Sequence, residues 1–184
     1  MALQDSTSRF GRIDWIEVGF RLLAAEGPGA LTLERLTQHA GRTRGSFYHH
    51  FKDREDFVRE LMAEWRERST EQAARRMAEI TDVAALRRVL LDWPISLDHA
   101  LEKAIRRMAV TEPLVRAMLA EMDRRRIEGF AAIIAATRPE VADPGAFALL
   151  AYSVVVGSQW LLDHEDPRGE SLRAVGEALF WPEG

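Results

Sequence analysis

A short segment near the N-terminus carries the side chains that proteins use to contact nucleic acids. It has the sequence TRGSFYHHF over residues 43–51. Thr43 suits the N-cap of a helix, where free backbone N–H groups can bind a phosphate. Arg44 can pair with two acceptors of a guanine, Ser46 can contact a base edge, and Gly45 lets the backbone approach closely. The segment therefore predicts a DNA-contacting helix of about seven residues.

The flanking residues supply the elements that would position this helix. Thr32 is a good N-cap for a preceding short helix, and Gly41 is a good residue to end it. Two short helices joined by a glycine-containing turn form a helix-turn-helix, whose second helix fits a major groove about 12 Å wide. Further side chains suited to the phosphodiester chain are Tyr48, His49 and Lys52.

Charge is distributed unevenly along the chain. The formal net charge of −4 by itself disfavours a polyanionic partner. Residues 35–54 reverse that balance, because Asp53 is their only acidic residue. The basic residues in the same stretch are Arg35, Arg42, Arg44, Lys52 and Arg54. The sequence thus predicts a local basic patch on an acidic protein.

Apolar spacing and cap residues predict an all-α protein of about nine helices. The pattern gives a first helix over about 12–26 and a long helix over 53–79, and Pro94 is expected to begin a later one. We predict a helix-turn-helix DNA-binding domain over residues 1–52. The long helix would join it to a ligand-binding and dimerisation bundle over residues 53–184.

From about residue 12 to 61 the sequence resembles the DNA-binding domain of the tetracycline-repressor (TetR) family of bacterial transcription regulators. The family signature is approximately T-x-x-x-I-A-x-x-A-G-V-S-x-G-x-x-Y-x-H-F-x-x-K-E-x-L. The positions that match it as they stand are Thr32, Ala40, Gly41, Gly45, Tyr48, His50, Phe51 and Glu55. Leu36 and Thr43 match in kind, whereas Thr37, Arg42, Arg54 and Phe57 depart from the usual residues.

The resemblance implies a homodimer that binds a near-palindromic operator through the second helix of the motif. Thr32 joins the phosphate contacts, and His50 and Phe51 are expected to pack inside the domain. Arg42 either adds a DNA contact or lays its stem over the turn. The full set of DNA-binding candidates is Thr32, Arg42, Thr43, Arg44, Gly45, Ser46, Tyr48, His49 and Lys52.

Aromatic and methionine side chains in the C-terminal part could line a pocket for a small, largely apolar effector, or could simply form core. The candidates are Trp93, His99, Met108, Met122, Phe130 and Tyr152. The run Arg124–Arg126 spans most of a helix circumference and is expected to form exposed salt bridges. An alternative to effector control is a DNA-binding regulator that responds to a protein partner or to no ligand.

The last two predicted helices are candidates for the dimer interface. The helix beginning at Pro144 is apolar nearly all round, and its small residues permit close approach of another helix. We expect it to form half of a two-fold four-helix interface with the final helix, the alternative being burial within one subunit. The candidate residues are Leu149, Ser153, Val156, Gly157, Trp160, Leu172, Val175 and Leu179.

Composition argues against other classes of protein. The chain has no cysteine, which excludes disulfides and cysteine-based zinc sites and fits a reducing cytoplasm. The N-terminus lacks the pattern of a signal peptide, and the apolar run 147–162 is shorter than a bilayer span. Without a glycine-rich phosphate loop, a helical Glu-x-x-His pair or a nucleophile–base set, we expect no enzyme activity, no cofactor and no metal site.

Overall fold

The computed structural model describes residues 10–163 and 165–181, except for the side chain of residue 95. These residues form helices and connecting turns and no β-strand, which confirms the predicted all-α class. The helices are α1 (Arg12–Glu26), α2 (Leu33–Ala40), α3 (Arg44–His50), α4 (Arg54–Arg66), α5 (Gln72–Ala78), α6 (Val83–Ser96), α7 (His99–Thr111), α8 (Pro113–Thr137), α9 (Pro144–Leu161) and α10 (Arg168–Phe180).

The helix-turn-helix begins and ends at the residues that the sequence predicts. The Thr32 hydroxyl caps α2 by accepting a hydrogen bond from the Arg35 backbone N–H at 3.2 Å. Gly41 ends α2 with a φ of 58°, a left-handed conformation that glycine adopts without a steric penalty. The Thr43 hydroxyl then caps α3 by accepting from the Ser46 backbone N–H at 3.2 Å. Local chemistry therefore sets the orientation of α3.

An aromatic cluster holds α3 against α1 and α4. Phe47 and Phe51 are buried on the inner side of α3, as predicted, and both rings contact Phe57 of α4. Trp15 of α1 meets Phe47 edge-on, with ring centroids 5.4 Å apart. Because these rings occupy the inner side, Arg44, Gly45, Tyr48 and His49 of the seven-residue helix α3 are exposed, whereas Ser46 and His50 are half-buried.

A long helix connects this N-terminal unit to the rest of the chain. Asp53 caps α4 by accepting from the Asp56 N–H at 2.8 Å. A π-helical turn over Glu67–Glu71 joins α4 to α5, and its flanking residues keep right-handed helical dihedrals. Counting α4, the π-turn and α5 as one continuous helix, the described residues hold nine α-helices, in agreement with the sequence prediction.

The remaining helices form the C-terminal bundle, and one predicted boundary within it is wrong. No helix begins at Pro94, because α6 continues through that proline to Ser96. Pro94 has no N–H to bond the carbonyl four residues earlier, and α6 ends two residues beyond it. The next helix begins after Asp98, whose carboxylate caps α7 by accepting from the Leu101 N–H at 3.0 Å.

Helix α9 buries one face against the bundle and leaves the other open. Its inner face packs on α8 through residues such as Ala148, Ala151 and Tyr152. By length and composition α9 could cross a membrane, although 28% of its residues are buried inside the structure. The expected burial of α9 on most faces is therefore not achieved within the described part of a single chain.

Candidate functional site

The outer face of α3 presents polar side chains to solvent. Tyr48 is 56% exposed, and its ring also contacts Phe47 edge-on. Arg42, Arg44 and His49 are exposed as well. Ser46 is half-buried, since its backbone N–H binds the Thr43 cap. The nine sequence-predicted DNA contacts thus lie at the N-cap of α2, in α3 and in the turns that flank α3.

The structure divides the predicted basic patch into paired and unpaired cations. Arg35 forms an ion pair with Glu26. Arg54 donates to the Leu31 carbonyl oxygen at 3.0 Å and forms an ion pair with Glu112 at 2.7 Å. Both of these arginines are therefore engaged in holding the N-terminal unit together or onto the bundle.

The cations next to α3 are differently placed. The Arg42 guanidinium lies over the Phe10 ring, 4.9 Å from its centroid. This cation–π contact is compatible with the stem lying over the turn, and it leaves the exposed guanidinium edge available. Within residues 10–163 and 165–181, the side chains of Arg44 and Lys52 make no hydrogen bond or ion pair. These two positive charges remain available for an external anion.

Histidines on α3 do not make a metal centre. The rings of His49 and His50 meet edge-on with centroids 5.0 Å apart, and His50 also contacts Phe51. Among the described residues, no group of three or more His, Asp or Glu side chains could hold a metal ion. His49 remains on the exposed side, whereas half-buried His50 packs as the resemblance implies.

The six predicted pocket residues do not surround one cavity. Trp93 lines a cleft of about 860 Å³ between α1 and the bundle, and His99 lines a separate cavity of about 470 Å³. Met122 lines a third of about 210 Å³. Met108, Phe130 and Tyr152 are buried in side-chain packing and line none of these three. The apolar spacing of these residues therefore mainly indicates hydrophobic core and not a single pocket.

The prediction that Arg124–Arg126 forms exposed salt bridges is wrong for Arg126. Arg124 and Arg125 form surface ion pairs with Glu121, as expected. Arg126 instead has a 2%-exposed side chain and forms a bidentate ion pair with the equally buried Glu102, at 2.9 and 3.0 Å. The sequence contains the indication, since Arg126 lies four residues from both Met122 and Phe130 on the inner stripe of α8.

Arg126 connects four elements of the bundle. Its guanidinium donates to the Ser69 and Thr70 hydroxyls in the π-turn, at 3.0 and 2.9 Å. It also lies between two indole rings, 5.1 Å from Trp65 and 4.9 Å from Trp93. Glu102 of α7 accepts from the Trp65 indole N–H at 2.9 Å. The π-turn is therefore held in place by α6, α7 and α8 together.

The electrostatics of this cluster keep its arginine charged. Burial disfavours the charged form of Arg126, but the charge and hydrogen bonds of Glu102 outweigh it and raise the guanidinium pKa above its usual value. Burial raises the pKa of Tyr152 to about 12, and its hydroxyl donates to Asp123 at 2.5 Å. Asp123 also pairs with Arg106, at 2.8 Å. The charges at the bundle centre are thus mutually compensated.

The predicted dimer residues lie on the outer surface of α9 and α10. Leu149, Trp160, Val175 and Leu179 are 53%, 47%, 54% and 68% exposed, and they are accompanied by exposed Leu150, Val154 and Leu161. A Cβ added at Gly157 would meet no atom within 4 Å. The remaining candidates, Ser153, Val156 and Leu172, are exposed or half-buried. Both helices therefore expose several apolar side chains to solvent.

Sequence comparison identifies the N-terminal unit. The family model described as "Bacterial regulatory proteins, tetR family" matches residues 16–61, which include α2, α3 and most of α4. None of the curated proteins matches the chain. The matched residues contain the helix-turn-helix and the phenylalanines Phe47, Phe51 and Phe57 that position it, and Trp15 lies one residue before the matched range.

Solved structures of regulators share the fold of the whole chain. A transcriptional regulator from Saccharomonospora viridis in complex with choline is 13% identical, with a TM-score of 0.79 over 93% of this chain and 96% of its own. A TetR-family regulator from a Rhodococcus species is 20% identical, with a TM-score of 0.75 over 92% and 97%. AibR, in complex with isovaleryl coenzyme A and operator DNA, is 14% identical, with a TM-score of 0.75 over 94% and 99%. The likeness therefore extends through the C-terminal bundle.

Proposed function

Because this chain belongs to the tetR family of bacterial regulatory proteins, we propose that it represses transcription as a homodimer on operator DNA and is released by a small, largely apolar effector. In this proposal α3 enters the major groove. Thr32, Thr43, Tyr48 and Lys52 contact phosphates, and Arg44 and Ser46 contact bases.

The observation that carries the proposal is the difference in pairing among the cations of the N-terminal unit. Arg35 and Arg54 are neutralised by Glu26 and Glu112, whereas Arg44 and Lys52 have no partner among the described residues. A basic side chain left unpaired on a helix-turn-helix is available for DNA phosphates and base edges. Arg44 lies in the first turn of α3, from which recognition helices contact bases.

The apolar face of α9 and α10 supports the homodimer. Contiguous exposed apolar side chains on a protein surface usually mark an interaction site. A second copy applying the same face would bury it through a four-helix contact with two-fold symmetry. Two copies of α3 can occupy successive major grooves only when they lie about 34–36 Å apart.

Release by an effector then requires a change in the distance between the two copies of α3. The continuous helix from α4 to α5 joins the recognition unit to the bundle, so a tilt of this helix moves α3. By linkage, an effector that weakens DNA binding must itself bind the DNA-bound form less tightly. The complexes of two relatives with choline and with isovaleryl coenzyme A support ligand binding within this fold.

The test begins with selection of bound duplexes from random or genomic DNA, followed by fluorescence anisotropy on a recovered site. Affinity should fall steeply with salt, because phosphate contacts release counterions. Arg44→Ala should weaken binding to the selected site by about 1–3 kcal/mol and relax base preference. Arg124→Ala, which removes a surface arginine of the bundle, is the matched control and should leave binding unchanged.

Two outcomes would contradict this assignment. A purified protein that selects no duplex, or binds with an affinity independent of salt, would remove the proposed DNA interface. An equal loss on every sequence after Arg44→Ala would make Arg44 a phosphate contact instead of a base contact.

A further inference from the structure

The largest described cavity lies where the DNA-binding unit meets the bundle. Its volume of about 860 Å³ is in the range of small-molecule sites. The cleft is lined by residues of α1, α4, the π-turn, α5, α6 and α7. Side chains that matter below are Phe20, Arg21, Trp65, Arg76, Trp93 and Asp98. A ligand in this cleft would contact both parts of the protein at once.

Most charges around the cleft are already neutralised within the chain. Arg68 pairs with Glu17 at 2.6 Å, and Glu102 is fully engaged by Arg126 and the Trp65 indole. Arg21 and Arg76 are different. Both are exposed, and neither makes a hydrogen bond or ion pair with any part of the chain that the structure describes. Arg21 belongs to α1 and Arg76 to α5, and both line the cleft.

The acidic side chains of the lining leave little negative charge to oppose these two arginines. Asp98 lacks an ion-pair partner among the described residues, but its carboxylate accepts the Leu101 N–H as the cap of α7. Two uncommitted positive charges therefore face one partly engaged carboxylate. The charge balance of the cleft favours an anion.

The aromatic side chains of the cleft also disfavour a cationic ligand. Trp65 and Trp93 line the cleft, and paired indole rings of this kind can hold a ligand cation. Here the space between them is filled by the Arg126 guanidinium, at 5.1 and 4.9 Å from the two rings. A cationic ligand is thus excluded from between the indoles. Phe20, Trp65 and Trp93 line the cleft with 8%, 3% and 8% of their surface exposed, so an apolar group would contact the small accessible edges of these rings.

We propose that this cleft binds an amphipathic organic anion, with its acidic group held by Arg21 and Arg76 and its apolar body against Phe20, Trp65 and Trp93. That the bound anion is also the effector rests on the function proposed above. Because Arg21 belongs to the DNA-binding unit and Arg76 follows the π-turn, the anion ties α1 to α5 across the joint. Such a tie favours one tilt of the long helix over another.

Isothermal titration calorimetry on the full chain tests the ligand class. The probes are octanoate, for an acyl body, and 2-naphthoate, for an aromatic body, each paired with its neutral amide. Choline serves as the cationic comparison. At least one acid should bind at least fivefold more tightly than its amide, and choline should not compete. Equal binding of acid and amide, displacement by choline, or no binding by either acid would overturn the proposal.

Variants at the two arginines test the position of the acidic group. Arg21→Gln and Arg76→Gln should each weaken binding of the acid about three- to tenfold, as expected for exposed charge-assisted contacts, and should leave the amide unaffected. Arg75→Gln is the matched control, because Arg75 is adjacent in sequence, pairs with Glu67 and does not line the cleft. An equal loss in all three variants would place the acid elsewhere.

A second readout separates this inference from the proposed function. Anisotropy of a selected duplex is measured with and without the acid, in the wild type and in Arg21→Gln. Acid binding without any effect on DNA affinity would retain the ligand class and refute effector release. DNA binding by a protein that binds neither acid would retain the DNA interface and refute the proposed anion site.

Discussion

Arg44 and Arg126 are the same residue type in two regions, with opposite relations to the surrounding chain. Arg44 lies exposed at the start of α3 and has no partner within the described residues. Arg126 lies at the bundle centre, with a bidentate carboxylate, three hydroxyls and two indole rings around it. The comparison distinguishes a cation that stabilises one arrangement of helices from a cation left for another molecule.

Two glycines show a similar difference in packing, because one is in close contact within the chain and the other has open space beside it. A Cβ at Gly19 of α1 would lie 2.5 Å from Leu61 Cδ1 and 2.7 Å from Phe57 Cζ, both in α4. A Cβ at Gly157 of α9 would meet nothing within 4 Å. The first glycine permits two helices of one chain to approach closely. The second leaves space on the face that we propose receives a second copy.

The largest effect is expected from removing the partner of Arg126. Glu102→Ala should lower the free energy of unfolding by about 3–5 kcal/mol, because it leaves a buried charge uncompensated. Chemical denaturation followed by circular dichroism measures the change. Glu121→Ala, which removes an exposed partner of Arg124 and Arg125, is the control and should have no measurable effect.

A double variant separates charge from packing in the same cluster. Arg126→Met combined with Glu102→Leu should recover much of the stability lost in Glu102→Ala, since apolar replacement of a complete buried pair is often neutral. If Glu102→Ala alone were as stable as the wild type, Arg126 would not depend on its carboxylate. The proposed distinction between the two arginines would then fail.

A smaller loss of stability is expected at the close contact between α1 and α4. Gly19→Val should destabilise the protein by about 1–3 kcal/mol, because Phe57 is fully buried and has little room to move. The measurement is the same denaturation experiment. Gly29→Val is the control, since a Cβ there meets nothing within 4 Å. Equal stability of the two variants would mean that α4 moves aside without strain.

Substitution of Gly157 should affect dimerisation. Gly157→Leu should weaken dimerisation by about 1–3 kcal/mol through overpacking of the proposed two-fold contact. Sedimentation at several protein concentrations measures the monomer–dimer equilibrium. Gly129→Leu, at another helical glycine with open space, is the control. Unchanged sedimentation of Gly157→Leu would place the interface on another surface.

The smallest effect on stability is expected at the exposed arginine. Arg44→Ala should change the free energy of unfolding by less than about 0.5 kcal/mol, because the exposed side chain makes no hydrogen bond or ion pair with the described residues. The same variant is expected to lose DNA affinity. Substantial destabilisation by Arg44→Ala would reveal an intramolecular role and weaken its assignment to DNA.

Much of the N-terminal unit could be predicted because its chemistry is local. A cap hydroxyl three residues from the N–H that it binds, as at Thr32 and Thr43, is visible in the sequence. So is a glycine where the backbone must turn left-handed, as at Gly41. The buried anchors Phe47 and Phe51 follow from their four-residue spacing in a short helix.

The bundle could be predicted less well because its important contacts join residues far apart in sequence. The spacing of Arg126 from Met122 and Phe130 indicates that it faces inward, but the sequence does not indicate its partners, because Glu102 and the π-turn lie on other elements far away in the chain. The cleft likewise combines Arg21 with Arg76, and neither residue belongs to an apolar pattern. Helical periodicity identifies an inner face but does not say which inner residues border a cavity.

By itself, the amino-acid sequence determined most of the helices and their caps, the helix-turn-helix and the family resemblance, since these depend on residues within a few turns of one another. Only the tertiary structure decided which cations are neutralised, where the cleft lies and which face of α9 stays uncovered. Pairing, cavities and exposure arise when distant helices meet. Their geometry depends on the packing of the whole chain.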